Sequence, residues 1–180
     1  MLELNDARVE LTHMNIRLEK HGEDNVPATD LKFTLQMPAA WLDQISPGLT
    51  RSLYRDPGES GEQASLGEAD GPTNVRHPDA KPWASTSKWP GYTAAVVIGE
   101  FSEADVGLGI VELKKLKCDP QEGGTVLASF TLSCYPQAGD IGNIYEALGT
   151  GMQLTMRPPA IDTAEEMTTE ALNAAMGGED

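Results

Sequence analysis

Apolar side chains recur with a period of two along much of this chain, and the parity of that alternation changes within the first twenty residues. Ala7, Val9 and Leu11 alternate with polar neighbours, and Met14, Ile16 and Leu18 then alternate on the opposite parity. A slip of one residue sends every later side chain to the other face of a strand, so the pattern predicts one long, bent strand with a bulge or break near Thr12 and His13. Turn chemistry follows at His21–Pro27, in Gly22, Asp24 and Asn25. Leu31, Phe33, Leu35 and Met37 alternate next with Asp30, Lys32, Thr34 and Gln36, up to Pro38. An antiparallel hairpin with a loop of several residues is predicted.

Two short helical pieces come after it: Ala39–Ile45, with Trp41, Leu42 and Ile45 on one face, and Gly48–Tyr54, with Leu49, Leu53 and Tyr54 available for packing. From Arg55 to Pro82 the chain is rich in Gly, Pro, Ser, Asp and Glu without sustained periodicity, which predicts a long mobile loop. The β pattern then returns. Thr93–Phe101 holds the run Ala94-Ala95-Val96-Val97-Ile98, short enough for a buried strand. Leu108–Cys118 and Thr125–Tyr135 flank Asp119-Pro120-Gln121-Glu122-Gly123-Gly124 and predict a second hairpin whose core face carries Val126, Ala128, Phe130, Leu132 and Cys134. Asp140 is placed to cap a helix over Ile141–Leu148, and Met152, Leu154 and Met156 form a last strand before Pro158-Pro159. About six strands joined mostly as hairpins, with two or three short helices, predict a mainly β (α+β) fold: an antiparallel sandwich or a small open barrel of the oligonucleotide-binding type.

The domain organisation follows from these boundaries: one β-rich domain over residues 1–158, a mobile loop over 55–82, and an acidic flexible tail over 159–180, with at most a weak helix at Thr163–Met176. Charge sharpens that division. The formal net charge is −15, yet the stretches carrying Asp56 to Asp70 and Asp162 to Asp180 hold eleven of the 28 acidic residues and none of the 13 basic ones. What remains has a net charge of −4, so the acidity belongs mainly to a loop and a tail, the usual composition of a solvated segment. No apolar stretch reaches the roughly 18 residues of a membrane helix, and the expectation is a protein of the cytoplasm. Cys118 and Cys134 are too few for a disulfide framework and match no zinc or CxxC spacing; they read as buried, free thiols.

Chemistry leaves few marks. Gly107-Leu108-Gly109 sits in a strand pattern without the further glycine or following helix of a phosphate loop. His13, His21 and His77 have no ligand spacing, and neither HExxH nor GxSxG occurs. The expectation is a non-enzyme without cofactor or metal. One stretch stands out: between Arg76 and Tyr92, basic and aromatic residues interleave in a loop rich in Pro and Ser, namely Arg76, Lys81, Trp83, Lys88, Trp89 and Tyr92. Single-stranded nucleic acid is held by this combination, rings stacking on bases while Lys and Arg face phosphates. The same tryptophans could instead anchor the returning loop onto the core, as large aromatics often do.

The stretches Glu19–Leu31 and Asp119–Val126 resemble segments of poorly characterised bacteriophage and prophage proteins encoded among early genes for DNA replication or recombination. The resemblance covers most of residues 7–158 and implies a phage-encoded protein acting in the bacterial host cytoplasm, without carrying over any binding residue. Two function classes then compete. In one, the body binds single-stranded DNA as an accessory in recombination or replication, with phage recombination proteins as further partners and the acidic tail competing for the basic surface. In the other, the acidic surface mimics nucleic acid and occupies the basic groove of a host defence complex, as an anti-CRISPR protein does. A phage structural or assembly protein is a third class. Confinement of charge to loop and tail favours the first, since a mimic needs its acids on a rigid body.

Overall fold

The alternation of the first forty residues folds as one long hairpin. β1 (Leu4–His21) pairs antiparallel with β2 (Asp24–Pro38) from Glu10 opposite Thr34 out to His21 opposite Asp24, and the register shifts between Leu11 and His13, where the parity changes. The connection is tighter than the turn chemistry suggested. Two residues, Gly22 and Glu23, close it, and Gly22 takes a positive φ of 66° that glycine adopts without strain. Asp24 to Pro27 are therefore strand. Pro27 is tolerated because pairing with the next strand begins only at Thr29.

This computed structural model describes residues 2–55, 73–80, 82–99 and 105–159, with His21 by its backbone only. After β2, a 3₁₀ turn (Ala39–Trp41), α1 (Leu42–Ile45) and α2 (Leu49–Leu53) bury Ala39, Trp41, Leu42 and Leu49. Two-residue ladders follow that the loop composition concealed: β3 (Tyr54–Arg55) pairs with β4 (Asn74–Val75), and β5 (Trp83–Ala84) pairs with the strand holding Cys118. The rest of the proposed 55–82 loop lies largely outside the described residues. So do the whole of 160–180 and the helix expected there.

β6 (Trp89–Ile98), β7 (Asp105–Gln121), β8 (Thr125–Cys134) and β9 (Gly151–Arg157) complete the sheet. Strand neighbours run β7-β6-β9-β1-β2-β8, and β8 pairs back onto β7, so six antiparallel strands close into a barrel. The mainly β reading holds in its barrel form. β6, β7 and β8 are a meander, with β2 beside β8 and β9 beside β6, a Greek-key arrangement that leaves no free edge along the closed part.

Over the closed barrel the inward faces are those that the alternation marked, but Ile16 and Leu18 farther along β1 are exposed. Leu31, Phe33 and Leu35 meet Val126, Ala128, Phe130 and Leu132 in the interior, where the Phe33 and Phe130 rings lie 5.9 Å apart between centroids. Burying a side chain of this size contributes roughly 1.5–3 kcal/mol, so these positions dominate the stability of the barrel. α3 (Ala138–Glu146) links β8 to β9 and buries Ile144. Its N-terminal flanking residue is Gln137, so Asp140 is not the cap but lies in the first turn, where a carboxylate still favours the helix dipole. Both cysteines are free and buried, and burial pushes each thiol up to about 12.

Candidate functional site

The outward residues of β1, β2, β8 and β7 form cross-strand rows on one side of the barrel. His13, Lys32, Thr131 and Lys114 stand opposite one another in one row. Asn15, Asp30, Ser133 and Glu112 make the next. Lys117 lies in the row of Thr34 and Ser129. With strands about 4.8 Å apart, Lys32 and Lys114 emerge roughly 10 Å from each other across the buried Thr131.

β7 is irregular at this point. Three residues of β7 span Lys114 to Lys117 while β8 advances only from Thr131 to Ser129, so β7 carries one extra residue. Lys115 absorbs it with a φ of +56°, in the left-handed region. In a regular strand, Lys114 and Lys117 would point to opposite faces. The bulge lets Leu113 and Leu116 both point inward and leaves Lys114, Lys115 and Lys117 together outside. Lys115 and Lys117 border a concavity of about 290 Å³ whose other walls come from His13, Lys32 and Ser129, while Lys114 turns to Asp30 and lines the neighbouring hollow. Four of the seven lysines of an acidic chain thus sit on one patch. Lys32, Lys115 and Lys117 are in no ion pair among the described residues.

Asp30 forms the floor between this concavity and its neighbour. Its carboxylate accepts hydrogen bonds from Ser133 Oγ at 2.5 Å and Lys114 Nζ at 3.0 Å and pairs with the Arg17 guanidinium at 2.5 Å. Burial alone would raise the Asp30 carboxyl, but the bonds from Ser133, Arg17 and Lys114 outweigh it and hold the group below the usual carboxylate range. Beyond Asp30 the surface continues past Lys88, Glu112 and Tyr135 in a second, shallower concavity of about 420 Å³. Tyr135 is 47 % exposed and donates to Glu19 at 2.6 Å, which fixes its ring at the rim. Ile110, 71 % exposed, lies beside it.

The residues singled out from the sequence are scattered by the fold. Tyr92 is 2 % exposed, a core residue of β6 whose ring is closed to any ligand. Trp83 and Trp89 are half-buried and pack against the core, opposite Cys118 and Leu113 respectively, as loop anchors would. Arg76 lies by the β7–β8 turn, its guanidinium donating to the Tyr54 carbonyl at 3.3 Å. Lys88 alone reaches the surface just described, facing Glu112 at 3.9 Å. Lys81 lies outside the described residues.

Sequence reasoning missed Lys32, Lys114, Lys115 and Lys117. The signal for three of them was present, since Leu113, Leu116 and Cys118 break parity just as the first strand does. Among the described residues no cluster of His, Cys, Asp and Glu could hold a metal ion, and no helix is long and apolar enough to cross a membrane. No family model, no curated protein and no solved structure matches this chain.

Proposed function

We propose that this protein binds single-stranded DNA along the lysine-bearing outer face of β1, β2, β8 and β7. The observation that carries this reading is the gathering of Lys115 and Lys117 with Lys32 around one polar concavity by the β7 bulge, with Lys114 on its border bonded to Asp30. Phosphate contacts of this kind supply most of the affinity for nucleic acid. The described residues hold twelve Lys and Arg against fifteen Asp and Glu, a net of −3 against −15 for the whole chain, so this part of the chain is close to balance and a cluster of lysines sets its local charge. From Lys117 to Glu112 the strip runs for roughly 14 Å, the length of β8 from Ser129 to Ser133 at about 3.4 Å per residue, and Tyr135 at its far end offers a half-exposed ring to a base. The surface is a shallow strip on one sheet, which suits a flexible strand better than a duplex. With the resemblance of Glu19–Leu31 and Asp119–Val126 to phage early proteins, the role is that of an accessory in phage recombination or replication in the bacterial host cytoplasm.

The test is binding of labelled single-stranded and duplex oligonucleotides over a salt series. The reading expects preference for the single strand and a linear fall of log affinity with log salt. Absence of binding at low salt, or equal affinity for the duplex, overturns it; tight association with a basic protein and none with DNA is the outcome an acidic decoy would give.

A further inference from the structure

Pairing of β1 with β9 ends at Glu10 opposite Gly151, and its last backbone bonds to that side join Leu11 to Gly149 and Thr150. β1 nevertheless continues to His21. From Thr12 onward one edge of the strand therefore has no partner among the described residues, although the barrel leaves no edge open elsewhere along its closed part. The arm also shows apolar side chains to solvent: Ile16 is 52 % and Leu18 70 % exposed, in line with the half-buried Met14. A long, unpaired, apolar edge is the surface on which another strand adds, and folded proteins normally block it with Pro, inward charge or a covering element. Among the described residues none of these occupies Thr12–Glu19.

We infer that this edge is a homodimer interface, in which a second copy of the chain adds its own β1 antiparallel across a two-fold axis at Ile16. The sequence of the arm is complementary to itself in that register. Ile16 meets Ile16, and Met14 meets Leu18, so the apolar face of each arm covers that of the other. On the polar face Asn15 stands opposite Arg17 and His13 opposite Glu19, so basic side chains face neutral or acidic ones and no like charges meet; the Glu19 carboxylate keeps Arg17 and Tyr135 of its own chain. Shifting the axis by one residue to Arg17 sets Met14 against Lys20 and Asn15 against Glu19, and keeps only an Ile16–Leu18 contact. Residues 12–20 carry two basic side chains and one acidic one, so the arm escapes the repulsion that a net charge of −15 imposes on self-association elsewhere. Directly opposed side chains in a sheet lie on the same face, so the two lysine faces of such a dimer share one side of a continuous sheet.

A single cysteine on the two-fold tests the register. Opposed residues of an antiparallel pair have Cα atoms about 4.5–5.5 Å apart, within disulfide range, so Ile16→Cys is expected to give a cross-linked dimer on mild oxidation. The native thiols, buried and pushed up to about 12, do not compete. His13→Cys alone should not cross-link, whereas a mixture of His13→Cys and Glu19→Cys should. In sedimentation the unmodified protein is expected to dimerise and Leu18→Lys to be a folded monomer, since Leu18 is exposed in the single chain, with a melting temperature that no longer rises with protein concentration. A monomer at concentrations up to about 100 μM, where even weak specific contacts assemble, overturns the inference, as does a dimer that survives Leu18→Lys or cross-links at His13 as readily as at Ile16. None of these readouts involves DNA, so the inference and the binding function fail separately.

Discussion

Replacing Lys115 by Gly and Lys117 by Gln separates binding from folding at the bulge. Lys115 adopts a φ of +56°, where a side chain costs about 1–2 kcal/mol relative to glycine. Glycine returns about 0.5–1 kcal/mol of that through the greater freedom it gives the unfolded chain, so Lys115→Gly should leave stability unchanged or raise it by up to about 1.5 kcal/mol. Lys117 is exposed and Gln keeps its stem, so the double variant should melt within a few degrees of the parent. Each phosphate contact on a single strand contributes about 0.7 to the slope of log affinity against log salt. Loss of two contacts should lower the slope by about 1.4. Between 50 and 200 mM salt each contact weakens binding about 2.6-fold, so the parent should lose about sevenfold more affinity over that range than the variant does. Fluorescence anisotropy with a short labelled single strand measures both slopes. A folded variant whose slope equals the parent's would refute the assignment of these lysines to phosphate.

Trp83→Ala and Trp89→Ala should each lower stability by about 1–3 kcal/mol in urea titrations, because both rings pack against the core, and should spare the DNA affinity of the folded fraction; the opposite result would return the site to the Arg76–Tyr92 loop. Asp30 has a folded pKa below its unfolded one, so its contribution to stability is present above the ordinary carboxylate pKa and is lost as pH falls through the depressed value; Asp30→Asn should flatten the stability profile below about pH 4 and, by releasing Lys114 and Arg17, tighten DNA binding. Cys118 and Cys134 should resist a thiol reagent at pH 8 until the protein unfolds, and rapid labelling of the native protein would contradict their burial. Removing residues 160–180 takes away six acidic side chains and no basic one, from a chain that leaves Pro159 against Gly91 at the rim of the lysine face; affinity for single strands should rise at low salt and converge with the parent's at high salt.

Much of the barrel is legible in the chain because its six long strands are hydrophobic on one face and polar on the other. Ala7 to Leu18 show alternation and its interruption together, so the order of side chains alone reveals both the strand and its bulge. Boundaries were less legible where turn residues sit inside strands. Asp24-Asn25-Val26-Pro27 reads as loop by composition, but Gly22 already supplies the positive φ that a two-residue turn needs, and the following residues need only one paired edge. β3, β4 and β5 were invisible for a different reason. Two-residue ladders have no periodicity of their own and exist because Tyr54 and Trp83 pack against strands distant in sequence: the Tyr54 hydroxyl donates to the Thr125 carbonyl at 2.5 Å and accepts from the Gln121 N–H at 3.0 Å.

The chemistry sought for a binding surface was legible in the chain, but the lysine face was not. Basic residues next to aromatic ones drew attention to the Arg76–Tyr92 loop, yet adjacency in a loop says nothing about which rings the core will claim, and the core claims or anchors Trp83, Trp89 and Tyr92 alike. The lysine face needed two facts that the order of residues does not supply. Lys32 meets Lys114 only through the β2–β8 and β8–β7 pairings, between strands some eighty residues apart in the chain. Lys115 joins its neighbours only because β7 takes in an extra residue, a distortion that a purely structural strand has no reason to keep at a lysine, where glycine would relieve the strain at no cost to packing. A left-handed lysine held on the lip of a polar concavity places an irregularity of the backbone and a concentration of positive charge at the same spot, and the coincidence of the two gives this face its claim to be the binding surface.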